Sequence, residues 1–189
     1  WIDLDLRFAE SAKKHFSKYT FTEQVTLVDR TAEFVRIGWI GRRCGELLAT
    51  LGVGNATAMA SLAQAVVRWK DAEFHAIRHD FCGPMGFELF VPTGLHREFS
   101  GFLRDGGLRQ PIPEVSQEVV DTLRIEWGIP WPGSEITDEY LPAETRQLER
   151  AVSYQKGCYL GQEVVERMRS RQVVARQLVG LKLPIDQPL

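Results

Sequence analysis

Apolar and polar residues alternate over positions 1–6: Ile2, Leu4 and Leu6 fall on one side, Asp3 and Asp5 on the other. That is the period of a half-buried strand. Phe8, Ala12, His15, Phe16 and Tyr19 then recur at steps of three and four, with Lys13, Lys14 and Lys18 between them, which predicts an amphipathic helix. Positions 24–29 and 33–38 are β-branched and aromatic enough for two strands, joined by a hairpin turn at Asp29-Arg30-Thr31. A helix is predicted over 41–51, where Cys44, Leu47, Leu48 and Leu51 share a face and Gly52 and Gly54 punctuate the end. Positions 55–65 stay open between helix and loop. Strands follow at 66–70, 74–80 and 87–92. Thr93 is placed to cap a helix with an inner face of Leu95, Phe99, Phe102 and Leu103, closed by Gly106-Gly107. A further helix over 114–127 sets Val115, Val119, Leu123 and Trp127 on one side. Two prolines force 128–133 out of helical geometry. Pro142 suits the first turn of a helix reaching about 154. After Gly157 a short helix is expected to carry Leu160, Val164 and Met168 inward, and 173–183 returns to an extended pattern. Strands separated by helices, with antiparallel hairpins among them, predict an α+β fold: antiparallel sheets with flanking helices.

Composition narrows the partners more than the fold. The chain has 189 residues, 44% of them hydrophobic, enough for one large domain or two small ones. Lys and Arg number 23 against 25 Asp and Glu, a net charge of −2, which argues against a coat for nucleic acid. The longest weakly polar stretch, 52–67, is interrupted by Asn55, Thr57, Ser61 and Gln64 and does not suit a membrane span. Three well-separated cysteines, Cys44, Cys82 and Cys158, give no disulfide framework, so a reducing, cytoplasmic setting is expected. The histidines (His15, His75, His79, His96) are scattered and no CxxC or HExxH spacing occurs, so no metal site is expected. The chain opens on Trp1 with no targeting segment in view, and its true beginning is expected to lie upstream.

One segment is dense in candidate chemistry: Lys156-Gly157-Cys158-Tyr159-Leu160-Gly161-Gln162-Glu163, continuing to Arg167. Two glycines four apart permit sharp turning and close approach. A thiol beside a helix N-terminus and two residues from an ammonium would be biased toward thiolate. Against this stands Cys158 as a small packed residue, with Glu163 and Arg167 an ordinary i,i+4 pair worth about 0.3 kcal/mol. The residues alone leave both readings open. The basic run Arg167, Arg169, Arg171 and Arg176 is read either as solvated or as a seat for an anionic ligand or a partner protein. Trp127 and Trp131 are read as core residues or as walls of an aromatic pocket.

The pattern Lys-Gly-Cys-Tyr-x-Gly-Gln-Glu-x-x-x-Arg resembles the signature of the YgfZ-like branch of the folate-binding family, related to the T-protein (aminomethyltransferase) of the glycine cleavage system. The segments Phe81-Cys82-Gly83-Pro84-Met85-Gly86-Phe87-Glu88-Leu89 and Asp121-Thr122-Leu123-Arg124-Ile125-Glu126-Trp127-Gly128 resemble the family's hairpin and helix end. Gly133 and Leu141-Pro142 also agree, so the likeness covers roughly 1–185 and is strongest after Phe81.

The resemblance implies a tetrahydrofolate-binding fold. Its folate core would occupy 1–172, and 173–189 would be a linker or the first strand of a C-terminal barrel. It implies Glu88 as the carboxylate that receives the aminopyrimidine edge and Arg124 as the arginine that steadies the site. Gly157, Gly161, Gln162, Glu163 and Arg167 are the further ligand-side candidates, with Cys158 and Lys156 as the reactive pair. The family's aspartate-bearing N-terminal loop would precede Trp1, and the barrel would follow the chain, so truncation at both ends is expected. Two functions follow from the resemblance. One is a YgfZ-like protein supporting iron–sulfur cluster assembly or repair, with assembly proteins as partners. The other is an aminomethyltransferase receiving its one-carbon unit from a lipoyl carrier protein, or a shortened, inactive relative of one acting as an interaction domain.

Overall fold

Strand Gly86–Pro92 (β4) is the most deeply buried element, with Phe87, Leu89 and Val91 fully enclosed on one side and Glu88 and Phe90 nearly so on the other. Both of its edges are also paired, which makes it a central strand. In the computed structural model, which describes residues 1–83, 85–108, 110–171 and 174–182, β4 lies between Phe34–Ile40 (β1) and Ala72–Arg78 (β3). Gln64–Trp69 (β2) completes a four-stranded antiparallel sheet of order β1-β4-β3-β2. The register sets Gly38 opposite Glu88 on one side and Ile77 opposite it on the other. The inner face of Trp39, Val67, Trp69, Phe74, Ala76, Phe87, Leu89 and Val91 shares one apolar cluster with two helices. These are Cys44–Thr50 (α2) and His96–Arg104 (α3). Phe99 of α3 meets Trp69 and Phe74 edge-on, with ring centroids at 5.1 and 5.2 Å. Gly106 in the left-handed region (φ +82°) and the Gly107 N–H on the Phe102 carbonyl end α3, as the glycine pair predicts.

The chain divides into two units by its own packing: Trp1–Asp80 with Pro84–Glu114, and Phe81–Gly83 with Val115–Leu189. The second holds Gln117–Glu126 (α4), Leu148–Ala151 (α5) and Gln162–Arg171 (α6), linked by irregular turns. Ser116 caps α4, its hydroxyl accepting the Val119 N–H.

Several expectations need correction. Residues 1–6 form no strand; they run irregularly into a 3₁₀ turn at Leu6–Phe8, and Trp1 lies against Phe34, His75 and Phe90 on the outer sheet face. The first hairpin is also absent: among the described residues 24–29 belong to no strand, and Asp29 instead accepts the Thr31 N–H, a local turn that competes with strand pairing. Helix Ala9–Tyr19 (α1) forms as its period predicts, but buries no residue. The open stretch 55–65 resolves into a 3₁₀ turn, Ala56–Ala58, and a loop entering β2. Thr93 does not cap α3; its hydroxyl donates to the Ala32 carbonyl at 2.9 Å. In α4 the expected inner residues Val115, Val119 and Trp127 are exposed and Arg124 is the buried one, because its ion pairs set the helix's orientation. The helix from Pro142 stops as a 3₁₀ turn, Pro142–Thr145, where Arg146 turns left-handed. In α6, Val165 is buried while Val164 is exposed, as is Leu160 in the turn before the helix. The expected boundary at 172/173 and the tail 184–189 lie outside the described residues.

Candidate functional site

Glu88 projects from the outer face of β4, where strand alternation would ordinarily place a solvated residue. It is only 7% exposed. Its direct cross-strand neighbours are a glycine and an aliphatic, Gly38 and Ile77. The charged groups therefore reach it from the diagonal positions, which are within range of long side chains. Arg36, opposite Phe90 on β1, brings Nη1 to 3.7 Å from Oε1. His79, beyond the end of β3, brings Nδ1 to 3.4 Å from Oε2. Arg36 is shared with Asp3, whose Oδ2 lies 2.6 Å from the same nitrogen. Burial works against the Arg36 charge, but the carboxylates of Glu88 and Asp3 outweigh it and raise its affinity for the proton. On the same face His75 Nδ1 is buried with no hydrogen-bond partner. Asp80 fixes the turn before β4 by accepting the Gly86 N–H at 2.9 Å and pairing with Arg78.

Arg124, in the second unit, is enclosed by acceptors. Nε donates to Asp121 at 2.7 Å, Nη1 to Glu135 at 2.8 Å, and the guanidinium lies 5.3 Å from the Trp131 ring centroid. Glu135 also accepts the Trp131 N–H at 3.0 Å, so one arginine and one glutamate tie α4 to the turn after it. Burial would raise the Glu135 carboxyl. The Trp131 N–H, Arg124 and Ser134 outweigh it and hold the group below the usual carboxylate range. Trp127 acts elsewhere. Its ring lies over Gly83, where an added Cβ would meet ring carbon at 2.0 Å.

The Lys156–Arg167 motif opens onto a groove of about 600 Å³, whose lining includes Lys156, Tyr159, Gln162, Glu163, Arg167 and Arg171. The structure thus brings four of the sequence-derived candidates, Lys156, Gln162, Glu163 and Arg167, to one place. Gly161 takes φ +85°, a conformation that favours glycine, and Tyr159 N–H donates to Gln162 Oε1 at 3.1 Å just before α6 begins. Lys156 sits over the Tyr159 ring, 4.6 Å from its centroid. Cys158 is free and exposed, so it is not a packed core residue. It precedes α6 by four residues, and Gly157 beside it has open space around its Cα. The arginine run disperses. Arg169 pairs with Glu166 and covers Tyr154, Arg176 pairs with Glu144, and only Arg167 and Arg171 line the groove. Among the described residues no group of three His, Cys, Asp or Glu side chains is placed to hold a metal ion, and no helix is long and apolar enough to cross a membrane.

The model of the GCVT N-terminal domain family matches residues 6–156. The chain belongs to this family. Among the relatives of this GCVT-family chain, an aminomethyltransferase of Herpetosiphon aurantiacus is 30% identical over 176 residues, 93% of the chain and 47% of that protein. One of Symbiobacterium thermophilum is 29% identical over 161 residues, covering 83% and 42%, and one of Chlorobium limicola 27% over 157, covering 82% and 42%. The chain thus spans about half the length of these curated relatives. All three carry the aminomethyltransferase name, which favours the T-protein side of the resemblance over its YgfZ-like side.

Sequence reasoning about this GCVT-family chain singled out Glu88 and missed its surroundings. Arg36, His79 and Asp3 are 52, 9 and 85 positions away from it, a separation that only strand register resolves. Glu135 reaches Arg124 through the path of the turn after α4, which spacing does not fix, although its position eleven residues on, across a proline-bearing turn, is a usable signal.

Proposed function

We propose that this chain is the folate-binding part of an aminomethyltransferase of the T-protein kind. The observation that carries the reading is Glu88: a carboxylate almost wholly withdrawn from water on the outer face of a sheet whose other face is the core. Burying such a charge is costly unless donors surround it, and the contacts of Arg36 and His79 are long, at 3.7 and 3.4 Å. A carboxylate offers about four lone-pair positions, so acceptor capacity remains for a ligand with paired N–H donors. The aminopyrimidine edge of tetrahydrofolate is such a ligand, and the orphaned Nδ1 of His75 supplies further unmet polarity on the same face. Bound tetrahydrofolate would supply the nitrogen that accepts the one-carbon unit. The chain's own part is to hold and orient the pterin through Glu88. Arg124, saturated by Asp121 and Glu135, serves this reading as a brace of α4 and its turn. A lipoyl carrier protein is the corresponding donor partner, in a cytoplasmic setting.

The test is calorimetric titration of the full chain with tetrahydrofolate. Saturable binding that Glu88→Gln weakens at least tenfold is expected. No binding by the parent chain, or equal binding by the variant, overturns the reading. The exposed thiol of Cys158 favours a second reading, in which the YgfZ-like branch's role in iron–sulfur assembly is retained. Undiminished rescue of iron–sulfur enzyme activity by Cys158→Ser, in cells lacking the native copy, removes it.

A further inference from the structure

Gly86 and Glu88 lie on the same outer face of β4, two residues apart. His79 continues the β3 ladder one step past the strand, its N–H donating to the Gly86 carbonyl at 3.0 Å. His79 is therefore placed opposite a residue without a side chain. The imidazole crosses that space to reach Glu88 on the diagonal, Nδ1 to Oε2 at 3.4 Å. A Cβ at Gly86 would stand 2.5 Å from the His79 carbonyl oxygen, so the close approach of the two strands depends on that glycine. The other carboxylate oxygen faces Arg36 at 3.7 Å, but Arg36 is held more closely by Asp3, at 2.6 Å. His79 is thus nearer to Glu88 than Arg36 is. It is also the less exposed, its side chain 33% accessible against 49% for Arg36.

We propose that His79 is the positioning residue of the folate site: its Nδ1–H donates to Glu88 Oε2 and fixes the plane in which the carboxylate presents its remaining lone pairs. This deepens the folate reading and rests on it. A carboxylate must be coplanar with two N–H donors to receive both. Glu88 has three rotatable bonds, and its direct neighbours, Gly38 and Ile77, offer it no hydrogen bond from their side chains. A donor on one oxygen removes the rotation that the sheet itself leaves free. The role is indirect, as in sites where an outer residue orients the group that touches the ligand.

The experiment is calorimetric titration of the full chain with tetrahydrofolate under anaerobic conditions, comparing the parent with His79→Ala, His79→Asn and Glu88→Gln and recording the melting temperature of each. Asparagine keeps an N–H donor at the position of Nδ1. His79→Ala is expected to weaken binding about tenfold at an essentially unchanged melting temperature, with His79→Asn recovering most of the loss. If the parent binds, Glu88→Gln loses binding and His79→Ala binds as the parent does, His79 has no positioning role and the folate reading stands. Weakened binding by both His79 variants alike, or only in step with a lowered melting temperature, also overturns it, since a donor is then not what matters. If the parent does not bind, or Glu88→Gln binds equally well, the folate reading fails and this inference with it.

Discussion

The two units of this chain are built on opposite principles. Among the described residues the whole apolar core cluster belongs to the first unit, where the inner face of a four-stranded sheet closes on α2 and α3. The second buries few apolar side chains: Cys82, Pro130, Ala143 and Val165. Its buried residues include Arg124, Glu144 and Thr145, and its turns are tied by Arg124 to Asp121 and Glu135 and by Arg176 to Glu144. Two kinds of buried charge are thereby told apart. Among the described residues, Arg124, Glu144 and Thr145 of the second unit each make at least one hydrogen bond of 2.7–2.9 Å within their own unit, which is what a scaffold needs. In the first, Glu88 is buried against longer contacts, 3.7 Å to Arg36 and 3.4 Å to His79, and it is this difference that supports its proposed role in binding.

The contrast breaks most severely at the sheet. Leu89→Ala, in the fully buried centre of β4, should cost about 3 kcal/mol, because the tightly packed inner face cannot collapse around the void. Urea denaturation followed by the fluorescence of buried Trp39 and Trp69 measures it, and a loss below about 1 kcal/mol would mean that the sheet is not the stabilising core. Arg124→Met comes next, at about 2 kcal/mol, less than for a fully enclosed pair because Asp121 and Glu135 keep partial access to water. A neutral result would show that the second unit does not depend on its ion pairs.

Acidification should reach the second unit through the same groups. The Leu141 N–H and then Arg176 hold the Glu144 carboxyl below its ordinary value of 4.5, and Glu135 is also lowered from 4.5. A carboxyl depressed by folding contributes stability that is complete above its unfolded value and disappears as pH falls through the folded one. Thermal melts should therefore lose stability below about pH 4.5, and Glu144→Gln should flatten that slope. An unchanged slope would remove Glu144 from the account. The smallest effect belongs to Cys158→Ser, within about 0.5 kcal/mol, since the thiol is exposed. Alkylation of the native chain should label Cys158 and spare the buried Cys44 and Cys82.

Local patterns were dependable where local forces decide. The four-step apolar spacing of α3, the glycine pair after it and the positions of β2, β3 and β4 are all legible in the chain, because helix period, left-handed turns and strand preference are properties of a few adjacent residues. Glu88 was legible as a candidate through its Gly-Phe-Glu context, as was the Lys156–Arg167 segment through its spacing. The failures at 1–6 and 24–29 have one cause: alternation in the first and β-branched content in the second state that a strand is possible, and a strand also needs a neighbour to take its hydrogen bonds. The wrong inner face of α4 has another. An apolar stripe of four residues competed with two ion pairs, and the stripe was the only one of the two visible from spacing.

The sequence by itself determined the α+β class, most helices and the central strands, and the family to which the chain belongs. Only the tertiary structure decided the register that places Arg36 and His79 on either side of Glu88 and the direction in which α4 faces. The reason is range. Periodicity is set by bonds and contacts within one turn or one pleat, whereas the surroundings of a buried charge are assembled across strands from residues that stand nine to dozens of positions apart.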